Sequence, residues 1–89
     1  MYCVAMDDES RGMIQALTYD LRKAGVSAEC DTAGRGFKSQ MKAAGACRFA
    51  CIVGADERAN NAVTVKNLAD GTQVNISVDE TVKYIMERV

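Results

Sequence analysis

The chain has 89 residues, 48% of them hydrophobic and 26% charged, a length and composition typical of one globular domain. Its net charge of −1 argues against indiscriminate binding to nucleic acid, because sequence-independent affinity comes from many cations that neutralise phosphates. No apolar run approaches the roughly 20 residues of a membrane span, and the start "MYCVAMDDES" lacks the basic region of a signal peptide. We therefore expect a cytoplasmic protein with no membrane contact.

In chain order, the first predicted elements are a strand, a helix and a second strand. The short apolar run at residues 2–6 predicts a buried strand that ends before two aspartates. The helical spacing of apolar residues predicts a helix from Glu9 to Ala24, and Gly25 stands where a helix commonly ends. The alternating residues 26–30 predict the second strand. The apolar positions of this helix are Ile14, Leu17 and Leu21.

The next segment, "GRGFKSQMKAAGA", predicts a flexible turn followed by a short helix. Arg35, Lys38 and Lys42 are spaced three and four residues apart, so they can share one face of that helix. No acidic residue occurs between Asp31 and Asp56, which makes the middle of the chain locally basic. The aromatic side chains are expected in the core, and only Phe37, beside the basic face, is a candidate for stacking on a base.

The last third of the chain predicts a central strand, a hairpin and a helix. The nearly continuous apolar run at residues 48–54 is typical of a strand covered on both faces. After a polar loop at residues 55–61, two alternating segments around Asp70-Gly71 predict a β-hairpin, with strands at 62–68 and 72–76. Ser77-x-x-Glu80 has the form of a capping box at the start of the last helix. The apolar stripe predicted for this helix consists of Val82, Ile85, Met86 and Val89.

The predicted element order is therefore β-α-β-α-β-β-β-α. Strands joined by helices should be parallel with right-handed crossovers, so the first three strands are predicted to be parallel. The C-terminal hairpin then adds an antiparallel pair. We predict an α/β fold with three layers, α/β/α, and a mixed five-stranded sheet, in a single domain that covers residues 1–89.

Catalytic and metal chemistry find little support in the sequence. There is no histidine, which removes the usual general base and the Ser–His and Cys–His nucleophile pairs. The four cysteines form no C-x-x-C pair, and Cys3, Cys30 and Cys51 lie in apolar runs. We expect buried, reduced thiols there, with a zinc site or a disulfide as the alternative. We predict no catalytic residue, no metal and no cofactor on this chain.

Three acidic residues at predicted strand ends suggest one competing fold. Asp7 and Asp8 follow the first strand and Asp56 follows the third, and the ends of parallel strands meet at one sheet edge. A phosphate-accepting receiver domain binds Mg²⁺ with such residues. We disfavour this interpretation because a receiver has more β/α units, and because no segment of helix length separates the third and fourth strands.

With this order of elements, four segments resemble the C-terminal anticodon-binding domain of histidyl-tRNA synthetases, a class II family with glycyl, prolyl and threonyl members. These segments are "LRKAGVSAECD", "GFKSQMKAA", "RFACIVGADERANNAVTVKNLADGTQV" and "DETVKYI", which together span essentially the whole chain. The resemblance implies that the chain binds the anticodon stem-loop of a tRNA as part of a histidine–tRNA ligase. The ATP and histidine sites of such an enzyme belong to a catalytic domain that is missing from this sequence.

The resemblance also implies residues that read the RNA. Glu57 and Lys66 match positions that contact anticodon bases in the threonyl members of the family. The other RNA-binding candidates are Arg35, Lys38, Gln40, Arg58 and Asn60. Each has a structural alternative, because a solvated loop acid, an edge-strand lysine, a polar helix surface or a turn asparagine needs no ligand.

Two functions follow from this sequence. In the first, the partners are a tRNA anticodon stem-loop and the catalytic domain of a parent synthetase, with a homodimer through the parent as a further option. In the second, the chain is a stand-alone protein-interaction or regulatory module that reuses the fold without binding tRNA, since fold alone does not define function. A continuous polar surface that includes Glu57 and Lys66 would favour the first, and an apolar patch the second.

Overall fold

The structure is a computed structural model that describes residues 1–31 and 33–88. The strands of this part are β1 (Tyr2–Ala5), β2 (Glu29–Cys30), β3 (Phe49–Val53), β4 (Ala62–Asn67) and β5 (Gln73–Ser77). The α-helices are α1 (Arg11–Lys23), α2 (Phe37–Ala44), α3 (Ala55–Asn60) and α4 (Val78–Met86), with a 3-10 turn at Asp8–Ser10 before α1. None of the helices in the described residues is long and apolar enough to cross a membrane.

The strands form one sheet in the order β2-β1-β3-β4-β5. β1 is parallel to both β2 and β3, whereas β4 is antiparallel to β3 and to β5. In register, Cys3 lies beside Cys51, Cys51 beside Val65 and Val65 beside Val74. The predicted mixed sheet of three parallel strands and an antiparallel hairpin is confirmed.

The first face of the sheet, which includes Cys3, Cys51 and Val63, packs against α1 and α4. The helical spacing in α1 aims Ile14, Leu17 and Leu21 at this face, where each is at most 3% exposed. α1 ends as predicted, because Gly25 has a φ of +93°. The N–H groups of Val26 and Gly25 then close the helix on the carbonyls of Leu21 and Arg22, at 2.9 and 3.0 Å.

The second face of the sheet is covered only in part. Tyr2, Val4 and Ala50 pack there against α2, whose Ala44 is fully buried. Helices on both faces were predicted and are confirmed. Among the described residues no helix packs on the β4–β5 half of this face, and that half is polar. We call it the open half, defined by Thr64, Lys66, Gln73 and Asn75, which alternate with the first-face residues of their strands.

The prediction of a loop at residues 55–61 was wrong, since α3 occupies most of it. Gly54 is extended and precedes the helix. Asp56 and Glu57 lie in the first turn, where negative charges interact favourably with the positive end of the helix dipole. Asn61 ends the helix with a φ of +50°. The next strand nevertheless runs antiparallel, so the chain does not continue in β/α units as a receiver domain would.

Several smaller predictions also need correction. β2 has two residues instead of the predicted five. Ser77 precedes α4, but its side chain makes no capping hydrogen bond, and its carbonyl instead accepts the Thr81 hydroxyl at 2.8 Å. Of the predicted stripe on α4, Ile85 is buried but Met86 is 50% exposed. Val89 lies outside the described residues.

The four cysteines are free thiols. Cys3 and Cys51 are buried as predicted, whereas Cys30 is only half-buried because it lies on the edge strand β2. Among the aromatic residues, Tyr2 and Phe49 belong to the core, but the prediction for Tyr19 was wrong, because its ring is 65% exposed on the outer side of α1.

Candidate nucleic-acid interface

Two consecutive residues of α3 turn to opposite sides of the sheet. Glu57 reaches the second face, where its Oε2 lies 3.4 Å from the hydroxyl of Thr64. Arg58 reaches the start of α1, where it donates to the hydroxyl of Ser10 at 3.0 Å. α3 begins directly at the carboxyl end of β3, at the edge of the sheet. Consecutive residues of this helix can therefore face opposite sides of the sheet, and Glu57 is the one that faces the open half.

The carboxylate of Glu57 is oriented by a hydrogen bond to the backbone directly before α3. Its Oε1 accepts the backbone N–H of Gly54 at 2.8 Å, which satisfies one of the free donors at the start of α3. The side chain is half-buried, and its Oε2 lies on the second side of the sheet beside Thr64. The hydrogen bond therefore orients a charged acceptor that can still receive donors from a ligand.

The open half places Glu57 and Lys66 on one side of the sheet. Lys66 lies opposite Gln73 on β5, and Thr64 lies opposite Asn75, whose Nδ2 donates to the Thr64 hydroxyl at 3.2 Å. Thr64 and Lys66 are two residues apart on β4, about 7 Å, so they share one row. Together with Glu57, the open half thus combines a carboxylate, an ammonium, a hydroxyl and two amides.

Our sequence reasoning did not identify Thr64, Gln73 or Asn75 as candidates. The signal was present, since Thr64 alternates with Val63 and Val65, and Gln73 and Asn75 flank Val74. Period-two alternation places such residues together on the face opposite the apolar core. These three residues were missed because the sequence does not show which part of a sheet face is left without a covering helix.

Arg58 is part of an ion-pair network within the chain. Its Nη2 lies 3.2 Å from Glu9 and 3.4 Å from Asp7. The hydroxyl and backbone N–H of Ser10, together with Arg58, hold the pKa of the Asp7 carboxyl below its usual value. Arg58 therefore ties α3 to the start of α1, and its side chain points away from the open half.

Arg35 was predicted to share a helix face with Lys38, but it precedes α2 and does not. Its Nε and backbone N–H both donate to the carboxylate of Asp31, at 2.7 and 2.8 Å. Arg11 adds a third contact to this carboxylate at 3.2 Å. The Asp31 side chain is only 1% exposed, and the hydrogen bond from Arg35 lowers its pKa to about 2.

This cluster predicts how stability depends on pH. The pKa of Asp31 is lower in the folded chain than its usual value of about 4, so the unfolded chain takes up the proton first. The stability from Asp31 is then complete above about pH 4 and is lost between about pH 4 and 2. In urea titrations, Asp31→Asn should be less stable than the wild type at pH 6, and the difference should shrink towards pH 2.

The matched control is Asp20→Asn, because Asp20 is exposed on α1 and the substitution removes the same charge. This variant should follow the wild type across the whole pH range. A difference between Asp31→Asn and the wild type that stays constant from pH 6 to pH 2 would contradict the prediction.

The structure separates the remaining candidates. Gln40 is 1% exposed, and its amide contacts only the backbone of Ala5 and Arg35, so it is not at a surface that RNA can touch. Lys38 is exposed on α2, on the same side of the sheet as the open half. Asn60 is exposed, but its Nδ2 donates to the Asp56 carbonyl at 2.9 Å, as expected of a helix-terminal residue.

Within residues 1–31 and 33–88, no three His, Cys, Asp or Glu side chains are grouped as a metal site would require. The chemistry that the open half can perform is hydrogen bonding and charge recognition. It presents acceptors and donors at the spacing of neighbouring strands.

Comparison with known proteins identifies the family. A family model described as an anticodon binding domain matches residues 2–88. The histidine–tRNA ligase of Corynebacterium kroppenstedtii is 37% identical over 91 residues, which cover 100% of this chain and 21% of that protein. The histidine–tRNA ligase of Geobacillus thermodenitrificans is 34% identical over 98% of this chain and 21% of its own length. The chain thus spans about a fifth of the curated relatives that it matches.

Solved structures agree with this assignment. The histidyl-tRNA synthetase of Nostoc sp. PCC 7120 superimposes with a TM-score of 0.85 and 30% identity, over 98% of this chain and 22% of that one. The RNA binding domain of the Cryptosporidium parvum threonyl-tRNA synthetase gives a TM-score of 0.84 at 10% identity, over 97% of this chain and 22% of that one, and so supports the fold alone. The resemblance seen in the sequence is confirmed: this chain belongs to the anticodon binding domain family, and the relatives that it resembles over its length are histidine–tRNA ligases.

Proposed function

We propose that the chain binds the anticodon stem-loop of a tRNA and reads unstacked bases with the open half and Glu57. The observation that carries this proposal is the oriented carboxylate of Glu57 on the same side of the sheet as Lys66, beside the open half that no helix of the described residues covers. RNA is read mainly on single-stranded bases, through hydrogen bonds to their exposed edges. An uncovered sheet face gives splayed bases the access that a groove between helices would deny.

The residue types fit the edges of bases. A carboxylate accepts from the N1–H and N2–H₂ groups of guanine or from the cytosine amine, and a lysine donates to guanine O6 or N7. Gln73 and Asn75 add amides, which can donate and accept at once. The open half therefore offers partners for more than one base, with Glu57 at one end and β5 at the other.

Lys38 and Lys42 are exposed on α2, on the same side of the sheet, where they can contact phosphates. With a net charge of −1, few such contacts are available, so we expect base reading to matter more than phosphate binding for discrimination. The polar nature of the open half favours RNA over a protein partner, which would call for an exposed apolar patch.

We further propose that the chain acts within a cytoplasmic histidine–tRNA ligase, in which a separate catalytic domain binds ATP and histidine. The family match and the named relatives support this proposal. In such an enzyme a second contact to the tRNA would raise the overall affinity through linkage, and this chain would supply the anticodon-dependent part.

The test is a binding titration of this chain with two stem-loops, at 50 and 200 mM salt. One stem-loop carries the histidine anticodon, and the other has the anticodon bases exchanged. We expect tighter binding to the histidine loop, by about fivefold or more, at both salt concentrations. The salt dependence should be shallow, because only a few phosphates are neutralised.

Two results would contradict the proposal. Equal and strongly salt-dependent binding to both loops would show phosphate contacts without reading. No binding to either loop at 50 mM salt would favour the protein-interaction module.

A further inference from the structure

Two side chains, that of Met6 directly after β1 and that of Glu57 on α3, converge above the backbone of Gly54. A Cβ atom placed on Gly54 would lie 2.6 Å from the Sδ of Met6 and 3.3 Å from the Oε1 of Glu57. The thioether and the carboxylate therefore line the same small space. Met6 can occupy this space only because residue 54 has no side chain. The backbone of Gly54 has an ordinary extended conformation, so the absent side chain, and not an unusual φ angle, is what matters at this position.

Met6 is anchored by its backbone but not by its side chain. It follows β1, and its N–H donates to the carbonyl of Val53 at 2.9 Å, which aligns it with the end of β3. The side chain is nonetheless 49% exposed, and it belongs to neither of the two hydrophobic clusters. An apolar side chain thus lies in solvent directly beside the charged acceptor of the proposed reading site.

We propose that Met6 is the apolar surface against which the base read by Glu57 stacks. This inference rests on the proposed function of the open half. A base that is hydrogen-bonded along its edge leaves its flat faces in water, and proteins usually cover such a face with an apolar or aromatic group. The polarizable sulfur of methionine makes favourable contacts with aromatic rings, and its flexible chain adapts to a purine or a pyrimidine.

Among the described residues, the atoms nearest to this space belong to Met6 and Glu57 and not to an aromatic side chain. Tyr2 and Phe49 are buried, and Tyr19 on α1 and Tyr84 on α4 lie on the other side of the sheet. Phe37 is 38% exposed at the start of α2 and is the competing platform. Met6 is favoured because it shares the space above Gly54 with the carboxylate itself. In this scheme Glu57 selects the base edge, Met6 supports the ring, and Gly54 is a positioning residue that keeps the space open.

Ring-current shifts test this contact directly. The chain contains five methionines, and ¹³C-labelled methyl groups report each of them separately, with Met6 assigned from the Met6→Leu variant. On titration with the histidine-anticodon stem-loop, the Met6 methyl resonance should move upfield. Met86 is the matched control, since it is 50% exposed on α4 and should not move. Saturable binding without a shift of the Met6 methyl would overturn the proposal.

Affinity provides the second readout. Met6→Ala should weaken binding of the histidine loop by about two- to tenfold, while Met6→Leu should retain most of it. Gly54→Ala should displace the thioether of Met6 and thereby weaken binding of the histidine loop. In the Met6→Ala variant, which has no thioether to displace, the same substitution should weaken binding less. Met86→Ala should bind like the wild type.

The outcomes separate this inference from the proposed function. If the wild type discriminates between the loops but Met6→Ala binds equally well, the inference is wrong and the proposed function stands. If Phe37→Ala weakens binding and Met6→Ala does not, the base stacks on α2 instead. If the wild type binds neither loop, the proposed function and this inference fail together.

Discussion

Replacing Gln40 with methionine is expected to lower the free energy of unfolding by about 3 kcal/mol, because it leaves buried backbone groups without hydrogen bonds. The Gln40 amide accepts the N–H of Ala5 at 2.9 Å and donates to the carbonyl of Ala5 at 3.0 Å. It also donates to the carbonyl of Arg35 at 2.8 Å. Methionine has a similar length but can form none of these bonds.

The position of Ala5 explains why a side chain is needed there. The N–H of Glu29 on β2 donates to the carbonyl of Met1, so alternate residues of β1, including Ala5, direct their backbone groups towards β2. β2 pairs only with Tyr2 and Cys3 and then ends. The Gln40 amide replaces the missing strand, as a peptide unit would. Chains of this size have roughly 0.05–0.15 kcal/mol of stability per residue, so the expected loss is a large fraction of the total.

Urea denaturation at 25 °C measures this effect, with the midpoint lowered and the slope unchanged. Gln15→Met is the matched control, because Gln15 is exposed on α1, and it should differ from the wild type by no more than about 0.5 kcal/mol. Hydrogen exchange of the Ala5 amide should also accelerate in Gln40→Met. If both variants unfolded at the same urea concentration, the bridging role of Gln40 would be refuted.

The second large effect concerns RNA discrimination. Glu57→Gln is expected to reduce the preference for the histidine-anticodon loop by about 1–3 kcal/mol, or five- to 150-fold. Glutamine keeps an oxygen that can accept the Gly54 N–H, so the start of α3 remains intact. It replaces the second acceptor oxygen with a donor, which opposes the N–H groups of a guanine edge or the cytosine amine.

Asp56→Asn is the control for this variant. Asp56 is the preceding residue of α3, it is exposed, and its substitution changes the net charge by the same amount. The preference of Asp56→Asn for the histidine loop should equal that of the wild type. If both variants lost the preference equally, the effect would come from overall charge and not from reading by Glu57.

Much of the fold could be predicted from residue patterns because those patterns reflect local physics. The spacing of Ile14, Leu17 and Leu21 predicted α1, and Gly25 predicted its end, since glycine adopts the positive φ found there. The alternation in β4 and β5 and the turn at Asp70-Gly71 predicted the hairpin. Gly71 indeed has a φ of +78°. These signals act over a few residues and need no knowledge of the layers.

The candidate site was predicted less completely. Glu57 and Lys66 were identified from the family resemblance, and the structure places both on one side of the sheet. Gln40 looked like a surface residue in a basic segment, yet it is buried because β2 is too short to pair with Ala5. Arg35 looked like part of a basic helix face, yet it pairs with Asp31. Both differences arise from contacts between residues that are separated by a turn or a strand.

The sequence by itself determined the elements other than α3, because apolar periodicity and turn residues are written in short segments, and its resemblance to a known family indicated the family and the two main reading candidates. Only the tertiary structure decided which half of the sheet stays uncovered, which cations pair within the chain and which side chains approach Gly54. Those outcomes depend on the length of β2, the position of α2 over β1 and the direction in which α3 leaves the sheet. Such relations join residues as distant as Met6 and Glu57, and no local pattern of residues encodes them.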